Sequence, residues 1–377
     1  MKDIKPSAIF NILEKVASRK NKGLEIAVLA AGEPDFDTPD YIKEAAIKAI
    51  KEGKTKYTPV SGIPELRQAV VDAIKKTEGL NYSPENVLVS SGAKQSIFNI
   101  LFSIVEEGDE VIILVPYWVS YPEMVQLAGG KPVFVPPSKD FSINLEEIKR
   151  HITPKTKAIM LNSPNNPTGV VYTEKEMREL ADLIKEKEIF IISDEIYDKL
   201  VYDNTKIFSM AKIPQMREKT FIINGVSKTY AMTGWRIGWA VGPKKYIDNA
   251  KSIQSHTTSC PSSISQYAAL AALTVNNNAT EEMRATFEKR RNLMIKLLRE
   301  IPGLSFPYPK GAFYIFVNVS KYDGDSIHFC NILIDNGLSV IPGVSFGIDG
   351  YIRISYASSF SEIGSGLGHL RDYINSR

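Results

Sequence analysis

The chain has 377 residues, with 44% hydrophobic and 24% charged residues and a formal net charge of +3. This length exceeds what one hydrophobic core usually serves, so we expect two domains. The small net charge, without a block of like charges, argues against a nucleic-acid partner. No stretch approaches the ~20 apolar residues of a membrane span, and the N-terminal segment lacks the apolar run of a signal peptide.

Cysteine and histidine usage bears on compartment and metal binding. Cys260 and Cys330 are the only cysteines, and they lie far apart in the sequence. They do not make a disulfide framework, so we expect a cytoplasmic protein with two small buried thiols. The four histidines do not pair with one another or with a cysteine at ligand spacing, so we expect no metal site.

The middle of the chain alternates apolar runs with amphipathic stretches. Seven runs rich in valine and isoleucine predict strands at residues 86–90, 110–115, 131–135, 157–162, 189–193, 220–224 and 236–242. Helix-like stretches such as AKQSIFNILFSIVEEG and EKEMRELADLIKEKE lie between them. Near-continuous apolar strands separated by helices predict an α/β fold with a mostly parallel sheet covered on both faces.

The pattern changes near residue 280. A long charged amphipathic helix, EEMRATFEKRRNLMIKLLREI, is followed by the short strands GAFYIFVNV, LSVIPG and YIRISYA and a final helix. This mixed part predicts a smaller α/β domain, and the loop AAGEPDFDTP is expected to cross between the domains. We therefore divide the chain into an N-terminal arm with part of the small domain (1–45), a large domain (46–280) and a small C-terminal domain (281–377).

Polar segments follow three of the predicted strands: NSPNNPTG, DEIYD and GVSK. Ligands of such sheets bind beyond the carboxyl ends of the strands. The third segment continues into NGVSKTYAMTGWRIG, where Lys228 lies among small and apolar residues and Arg236 follows eight positions later. Lysine forms Schiff bases with carbonyl compounds, and burial or a nearby cation favours its reactive neutral amine. The fork of donors on arginine suits phosphate oxygens.

This segment resembles the pyridoxal-phosphate attachment motif of class I aminotransferases, a resemblance carried by Gly225, Val226, Ser227, Lys228, Arg236, Ile237 and Gly238. It extends from about Phe10 to the last helix. It implies fold type I, a seven-stranded sheet sandwiched by helices with a smaller α/β domain, and a homodimer with active sites at the subunit interface. It also implies pyridoxal 5'-phosphate as the cofactor, with Lys228 as attachment point and catalytic acid–base.

The resemblance implies the other cofactor contacts. Asp194 would hold the proton on the ring nitrogen, Tyr197 and Asn166 would donate to the phenolic oxygen, and Trp118 would stack on the ring. Besides Lys228, Asp194 and Tyr197 are the expected catalytic residues. The phosphate would lie where SSGAKQS opens a helix, held by Gly92, Ala93, Lys94 and Arg236, with Tyr57 reaching it from the neighbouring subunit.

One position departs from the family pattern. Gly225 stands where some relatives carry a phosphate-binding serine. One hydroxyl contact is therefore missing, unless Ser227 or a backbone group replaces it.

The resemblance also implies how a substrate is held. Arg353 would bind the α-carboxylate through paired hydrogen bonds, and the backbone of Gly32 would touch the same carboxylate. Trp118 and Asn166 would line the substrate site, and Lys94 would pair with a distal carboxylate. We therefore predict amino transfer from L-aspartate to 2-oxoglutarate, giving oxaloacetate and L-glutamate, in a ping-pong cycle between pyridoxal and pyridoxamine phosphate.

Other functions of the same fold stay open. It also hosts prephenate, alanine, aromatic and kynurenine transaminases and carbon–sulfur lyases. Lys94 argues against those limited to neutral donors, whereas prephenate stays compatible. A cofactor-binding effector domain of a transcription regulator would need a DNA-binding module, for which a match starting near residue 10 leaves no room. An inactive scaffold would be expected to lose Lys228, Asp194 or Arg353, and all three are present.

Overall fold

The structure, a computed structural model, describes residues 14–19, 23 and 25–376. Residues 14–19 are helical. The following helices are α1 (Asp40–Lys51), α2 (Pro64–Glu78), α3 (Ala93–Ile104), α4 (Tyr121–Leu127), α5 (Leu145–His151), α6 (Glu174–Ile184), α7 (Lys244–Thr257), α8 (Ser263–Thr274), α9 (Ala279–Arg299), α10 (Ser326–Asp335) and α11 (Phe360–Asn375). The start of the predicted N-terminal arm, including Phe10, lies outside the described residues.

The strands are β1 (Ala27–Val28), β2 (Val87–Ser90), β3 (Glu110–Leu114), β4 (Lys131–Val135), β5 (Thr156–Asn162), β6 (Phe190–Asp194), β7 (Thr220–Gly225), β8 (Gly238–Val241), β9 (Tyr314–Asn318), β10 (Leu338–Ser339), β11 (Ile341–Pro342) and β12 (Tyr351–Ser355). All seven strands predicted for the large sheet are confirmed, within two residues at each end. The eighth strand begins at Gly238 rather than at residue 236, because Arg236 takes a left-handed φ of 55° that no regular strand accommodates.

Within the described chain, seven strands form one sheet in the order β2-β8-β7-β6-β5-β3-β4. The pairs β3–β4, β3–β5, β5–β6 and β6–β7 are parallel, and β8 runs antiparallel to β2 and β7. The predicted mostly parallel sheet is therefore confirmed. Because β5, β6 and β7 are parallel neighbours, the polar segments that follow them come together at one edge of the sheet.

The sheet is buried on both faces, as its continuous apolar runs require. Along β3, Val111 and Ile113 pack into a cluster with residues of α3 and α7, whereas Ile112 packs into a cluster with residues of α6 on the other face. Successive side chains of a strand point to opposite faces, so an uninterrupted apolar strand needs helices on both sides.

A second group of strands accompanies the C-terminal helices. Strands β11, β12 and β9 form a three-stranded antiparallel sheet, and β1 pairs with β10 in parallel. Side chains of β1, β9, β10 and β12 share a core with residues of α9, α10 and α11. The pairing of β1 with β10 places an N-terminal segment beside the C-terminal strands. The division at residues 45 and 280 stays a prediction.

The loop predicted between the two parts runs from Leu29 to Pro39 without a helix or strand. Asp35 forms a two-bonded ion pair with Arg290 of α9, at 2.7 and 2.9 Å. On the other side, the Thr38 hydroxyl donates to the carbonyl oxygen of Ala231 at 2.7 Å. The loop therefore contacts both the C-terminal helices and the segment that follows Lys228.

No helix in the part of the chain that the structure describes combines the length and apolar character needed to cross a membrane.

Candidate active site

The polar ends of β5, β6 and β7 open onto one cavity of about 310 Å³. Ten of the twelve residues to which the resemblance gives cofactor or substrate roles line it: Gly32, Ala93, Lys94, Trp118, Asn166, Asp194, Tyr197, Lys228, Arg236 and Arg353. These residues come from segments spread over more than 300 positions of sequence. The parallel order of the strands brings most of them to the same sheet edge.

Lys228 follows β7 and projects into the cavity. Its Nζ donates a hydrogen bond to the carbonyl oxygen of Gly32 at 2.7 Å. Burial lowers the pKa of the Lys228 amine to about 8; the charge of Glu33 opposes this shift, and the charges of Arg353 and Arg236 reinforce it. At neutral pH on the order of a tenth of such an amine is uncharged, which is the form that attacks a carbonyl carbon.

Asp194 ends β6 and is buried. One carboxylate oxygen accepts from the Tyr121 hydroxyl at 2.7 Å, and the other accepts from the Ile196 N–H at 3.2 Å. Burial raises the pKa of Asp194 to about 6, against the effects of both hydrogen bonds and of the Lys228 charge. A cation placed next to this carboxyl in the cavity would favour its ionised form.

Sequence reasoning missed Tyr121, although it lies only three positions after Trp118, at the first residue of α4. It is fully buried, and its hydroxyl holds Asp194. The two rings meet edge to face, with centroids 5.4 Å apart. The signal was a second tyrosine in PYWVSYPE, but the sequence did not show that it reaches Asp194.

Arg353 lies on β12 with only 2% of its surface exposed. Its Nη1 donates to Asn166 Oδ1 and its Nη2 donates to the Ala30 carbonyl oxygen, both at 2.9 Å. Its Nε has no partner among the described atoms. Burial lowers the pKa of Arg353 below its usual value. A buried guanidinium with an unpaired donor is suited to an anionic ligand, which would supply the missing acceptor.

The side-chain amide of Asn166 already uses its oxygen in a hydrogen bond. Its oxygen accepts from Arg353, so the NH₂ group is what this side chain can present to a ligand in the cavity. The turn holds the residue firmly, since its backbone N–H donates to Asn162 Oδ1 at 2.8 Å. The tight turn predicted from NSPNNPTG therefore also positions an amide donor.

Tyr197 is fully enclosed next to a second tyrosine. Its hydroxyl lies 3.1 Å from the hydroxyl of Tyr314, and the two rings meet edge to face. Burial raises the pKa of both phenols, so both keep their protons at neutral pH. Tyr314 was not singled out from the sequence, because the pairing of its strand with that of Arg353 cannot be read from GAFYIF alone.

The start of α3 forms a cradle for an anion. Gly92 precedes the helix with a φ of 91°, and a Cβ there would lie 2.4 Å from Nη2 of Arg236. At Gly238 a Cβ would lie 2.2 Å from the backbone nitrogen of Ala93. Glycine at both positions therefore lets Arg236 and the N–H groups of α3 approach each other closely. N–H groups at a helix start together with a guanidinium form a phosphate site.

The glycine that departs from the family pattern has a steric explanation. A Cβ at Gly225 would lie 2.8 Å from the Ile237 oxygen and 2.9 Å from the Gly238 Cα, so a serine does not fit without backbone movement. Ser227, which is buried and lines the cavity, has the hydroxyl nearest in sequence to this position.

Lys94 and Trp118 form one wall of the cavity. The Lys94 amine lies 4.8 Å over the indole ring, at cation–π distance. Burial lowers the pKa of Lys94, and the nearby charge of Arg236 adds to this effect. Tyr57 and Gly92 are absent from the cavity lining. Tyr57 is 91% exposed, whereas Gly92 lies directly behind Arg236.

Residues 25–365 match the family described as aminotransferase class I and II. The chain belongs to this aminotransferase family. The resemblance to class I aminotransferases is therefore confirmed. The attachment motif, the buried acid and the anion cradle all fall within the matched range.

Individual relatives agree with the family match. The chain is 42% identical to aspartate aminotransferase of Geobacillus stearothermophilus, over 99% of this chain and 97% of the relative. It is 43% identical to a protein of Aquifex aeolicus named "Probable aspartate/prephenate aminotransferase", over 98% and 96% of the two chains.

Solved structures of aminotransferases share the architecture. Aspartate aminotransferase from Thermus thermophilus with maleate superposes with a TM-score of 0.94 at 42% identity, over 98% of this chain and 97% of that one. The enzyme from Rhizobium meliloti gives 0.96 at 38% identity, over 99% and 97% of the two chains. The predicted fold type I is confirmed by these neighbours.

The aminotransferase cavity has the groups that pyridoxal phosphate requires. Lys228 provides an amine for the aldehyde of the cofactor, and the buried acid Asp194 can pair with its pyridine nitrogen. The cradle at α3 together with Arg236 suits its phosphate. All of them share one volume of about 310 Å³. The residues present therefore fit this cofactor. In the described part of the chain, no cluster of three or more histidine, cysteine, aspartate or glutamate side chains is arranged to hold a metal ion.

Proposed function

We propose that this aminotransferase transfers the amino group of L-aspartate to 2-oxoglutarate with pyridoxal 5'-phosphate as its cofactor. The observation that carries the proposal is that Lys228, Asp194 and Arg353, from three distant segments, meet in one cavity. The relatives named aspartate aminotransferase, at about 42% identity over nearly the whole chain, support it.

The cofactor supplies an electron sink that makes the Cα proton of an amino acid acidic. Lys228 would hold it covalently, and Asp194 would keep its ring nitrogen protonated. Arg236 and the N–H groups of α3 would bind its phosphate, with Ser227 adding the hydroxyl for which Gly225 leaves no room. Trp118 offers an aromatic face at the same cavity, next to Tyr121.

Two cationic groups would orient a dicarboxylic substrate. Arg353 has an unpaired Nε that an α-carboxylate would satisfy. Lys94, on the Trp118 side of the cavity, would meet the distal carboxylate. The Thermus relative was solved with maleate, which has two carboxylates, and this supports a dicarboxylate site. The carbonyl oxygen of Gly32 accepts a hydrogen bond from the Lys228 amine, and Gly32 would lie beside the α-carboxylate.

Lys228 would also move the proton in the reaction. Its amine has a pKa lowered to about 8, so it can release and accept a proton near neutral pH. With a substrate bound, the Lys228 amine would be the group that takes the substrate Cα proton. Tyr197 and the NH₂ group of Asn166 would hold the phenolic oxygen in its ionised form.

The active site would be completed by a second copy of the chain. Tyr57 is 91% exposed and does not line the cavity of its own subunit. We therefore propose a homodimer in which Tyr57 reaches the phosphate of the partner. Light scattering checks this directly, and a fully active monomer would contradict it.

Prephenate is a second candidate substrate. The Aquifex aeolicus relative carries both aspartate and prephenate in its name. Prephenate also has two carboxylates, so Arg353 and Lys94 would serve it in the same way. Amino transfer from aspartate to prephenate, compared with 2-oxoglutarate under equal conditions, distinguishes a dual acceptor range from a single one.

The first test is the visible spectrum of the purified protein, loaded with pyridoxal phosphate, before and after L-aspartate alone is added. A shift to the pyridoxamine form would show the first half of the reaction with aspartate as donor. An unchanged spectrum would reject aspartate, and aromatic and neutral donors would be tested next. Ammonia and pyruvate release from cysteine conjugates would indicate the carbon–sulfur lyase alternative.

Substitution of the attachment residue tests the mechanism. We expect Lys228→Ala to lose covalent attachment of the cofactor, measured as mass added after borohydride reduction, and to lose turnover by at least ~10⁴-fold. Non-covalent cofactor binding should persist, because Arg236 and the α3 cradle are intact. Normal turnover in this variant would refute the assigned chemistry.

A further inference from the structure

Tyr314 is a buried residue of the cavity whose role the proposed function leaves open. It lies on β9 with no exposed surface and lines the cavity directly. In the register of the antiparallel pair, Tyr314 faces Ser355, and Arg353 faces Phe316. Arg353 and Ser355 are two positions apart, so they project from the same face of β12. Tyr314 and Arg353 are therefore diagonal neighbours, within reach of long side chains.

The ring of Tyr314 serves as a platform for the guanidinium of Arg353. The guanidinium carbon lies 4.3 Å from the ring centroid. Hydrogen bonds to Asn166 and Ala30 restrain the two terminal nitrogens in the guanidinium plane. An aromatic face under a cation attracts it electrostatically, and the interaction strengthens away from water. A second ring, that of Phe346, lies 5.1 Å from the same carbon.

The hydroxyl of Tyr314 has a different neighbour. It lies 3.1 Å from the hydroxyl of Tyr197. If Tyr197 donated to Tyr314, its only proton would be turned away from a cofactor in the cavity. If Tyr314 donates instead, the Tyr197 proton is left for the ligand, and the accepted bond strengthens the outgoing one.

We propose that Tyr314 is a positioning residue that directs the Tyr197 hydroxyl toward the cofactor and supports the Arg353 guanidinium that receives the substrate carboxylate. The inference rests on the proposed function, since it concerns the same site. It assigns the hydroxyl and the ring of one side chain to two separable tasks.

The hydroxyl task is tested with Tyr314→Phe, which removes one oxygen and keeps the ring. The measurement is the pH midpoint of the visible absorption of the protein loaded with pyridoxal phosphate. We expect the midpoint to rise by about half a pH unit, because weaker donation by Tyr197 stabilises the ionised phenolic oxygen less. The charged groups nearby, namely Asp194, Lys228, Arg236, Arg353 and Glu33, are the same in both proteins.

Tyr356→Phe is the matched control for this variant. Tyr356 is equally buried, and its hydroxyl donates to the Ala312 carbonyl oxygen at 3.2 Å without lining the cavity. Its removal is expected to leave the midpoint in place. A Tyr314→Phe midpoint equal to that of this control would overturn the hydroxyl assignment.

The ring task is tested with Tyr314→Met, which keeps a bulky apolar side chain but has no aromatic face. The measurement is the affinity of the protein loaded with pyridoxal phosphate for maleate. Binding is monitored through the change that maleate causes in the visible spectrum. We expect maleate to bind roughly three- to thirtyfold more weakly in Tyr314→Met and within about twofold of the wild type in Tyr314→Phe. Equal affinity in all three proteins would overturn the platform assignment.

Pentafluorophenylalanine at position 314 replaces the methionine variant if that variant does not fold. It keeps the shape of phenylalanine but reverses the charge of the ring face, so it should also weaken maleate binding relative to Tyr314→Phe. A wild-type protein that binds no pyridoxal phosphate would overturn the proposed function and this inference together. If the wild-type protein binds pyridoxal phosphate and its spectrum titrates with pH, but the Tyr314 variants have the same pH midpoint and maleate affinity, only the inference about Tyr314 is overturned.

Discussion

Lys94 has two candidate partners at the scale of single residues. It stands in the first turn of α3, where the phosphate cradle lies, and its amine also sits 4.8 Å over the ring of Trp118. The charge of Arg236 is close enough to help lower the pKa of the Lys94 amine. Arg236 already provides a cation to the cradle, so Lys94 is available to a second anionic group, such as a distal carboxylate.

Lys94→Ala separates these roles. We expect kcat/KM for aspartate to fall by roughly 10- to 100-fold, as for a lost charged hydrogen bond, and kcat/KM for phenylalanine to change by less than about threefold. Steady-state kinetics with both donors provide the measurement. Lys245→Ala is the control, because that amine also lies over an aromatic ring, 5.4 Å from the Tyr246 centroid, but outside the cavity. Equal losses for both donors would assign Lys94 to the phosphate.

At the scale of elements, the two consecutive acids at the carboxyl end of β6 point in different directions. Asp194 faces the cavity, whereas the next residue, Glu195, is buried outside it. Its carboxylate accepts from the hydroxyls of Ser193 at 2.9 Å and Ser209 at 2.7 Å. Burial raises the pKa of Glu195 to about 8, against the effect of both hydrogen bonds. Sequence reasoning missed this residue, because DEIYD does not show which acid faces the ligand.

The raised pKa of Glu195 makes stability depend on pH. An acid that holds its proton more tightly in the folded state stabilises that state fully below its unfolded pKa, near 4.5. This stabilisation is lost as pH rises toward about 8, because ionising the buried group then costs free energy. In the wild type, we expect Glu195 to lower the free energy of unfolding by about a few kcal/mol between pH 5 and pH 8. In Glu195→Gln this contribution to the pH dependence should be absent.

Chemical denaturation of the cofactor-free protein at several pH values measures this slope. Asp194 contributes a smaller fall at lower pH in both proteins, since burial raises its pKa to about 6. Exposed Glu186→Gln serves as the control and should reproduce the wild-type slope. A Glu195→Gln slope as steep as that of the control would mean that Glu195 is already ionised in the folded protein.

At the scale of the whole molecule, the site is spread over both parts of the chain. Lys228 and Asp194 extend from the seven-stranded sheet, whereas Arg353 and Tyr314 belong to the three-stranded one. The loop that carries Gly32 contacts both parts through Asp35 and Thr38. Relative movement of the two sheets would therefore change the distance between the proposed cofactor site and the proposed carboxylate site.

The proposed homodimer predicts complementation between two defective variants. In a mixed dimer of Tyr57→Ala and Lys228→Ala subunits, one site has an intact Lys228 and the intact Tyr57 of the partner. We expect co-expressed mixed dimers, purified by two different tags, to exceed both parent homodimers in activity at limiting pyridoxal phosphate. If Tyr57 served its own subunit, each site would keep one defect and mixing would bring no gain.

Local pattern was sufficient for much of this protein. Continuous apolar runs predicted the strands of the large sheet, because burial on both faces leaves a direct record in composition. The attachment motif around Lys228 is also local, so it indicated the family that the comparisons confirm. Both cysteines are free, but only Cys330 is buried as expected, whereas Cys260 is partly exposed. The cytoplasmic location and the domain boundaries stay predictions.

Only the tertiary structure decided which residues support the site. Tyr121 reaches Asp194 across 73 positions of sequence, and the amide oxygen of Asn166 is held by Arg353 across 187. Such contacts depend on strand order and register, which place side chains together without any periodic trace in the sequence. The apolar pattern of the sequence predicts which side chains are buried. The partner of each buried side chain depends on how the strands pair, and strand pairing is decided only in the folded chain.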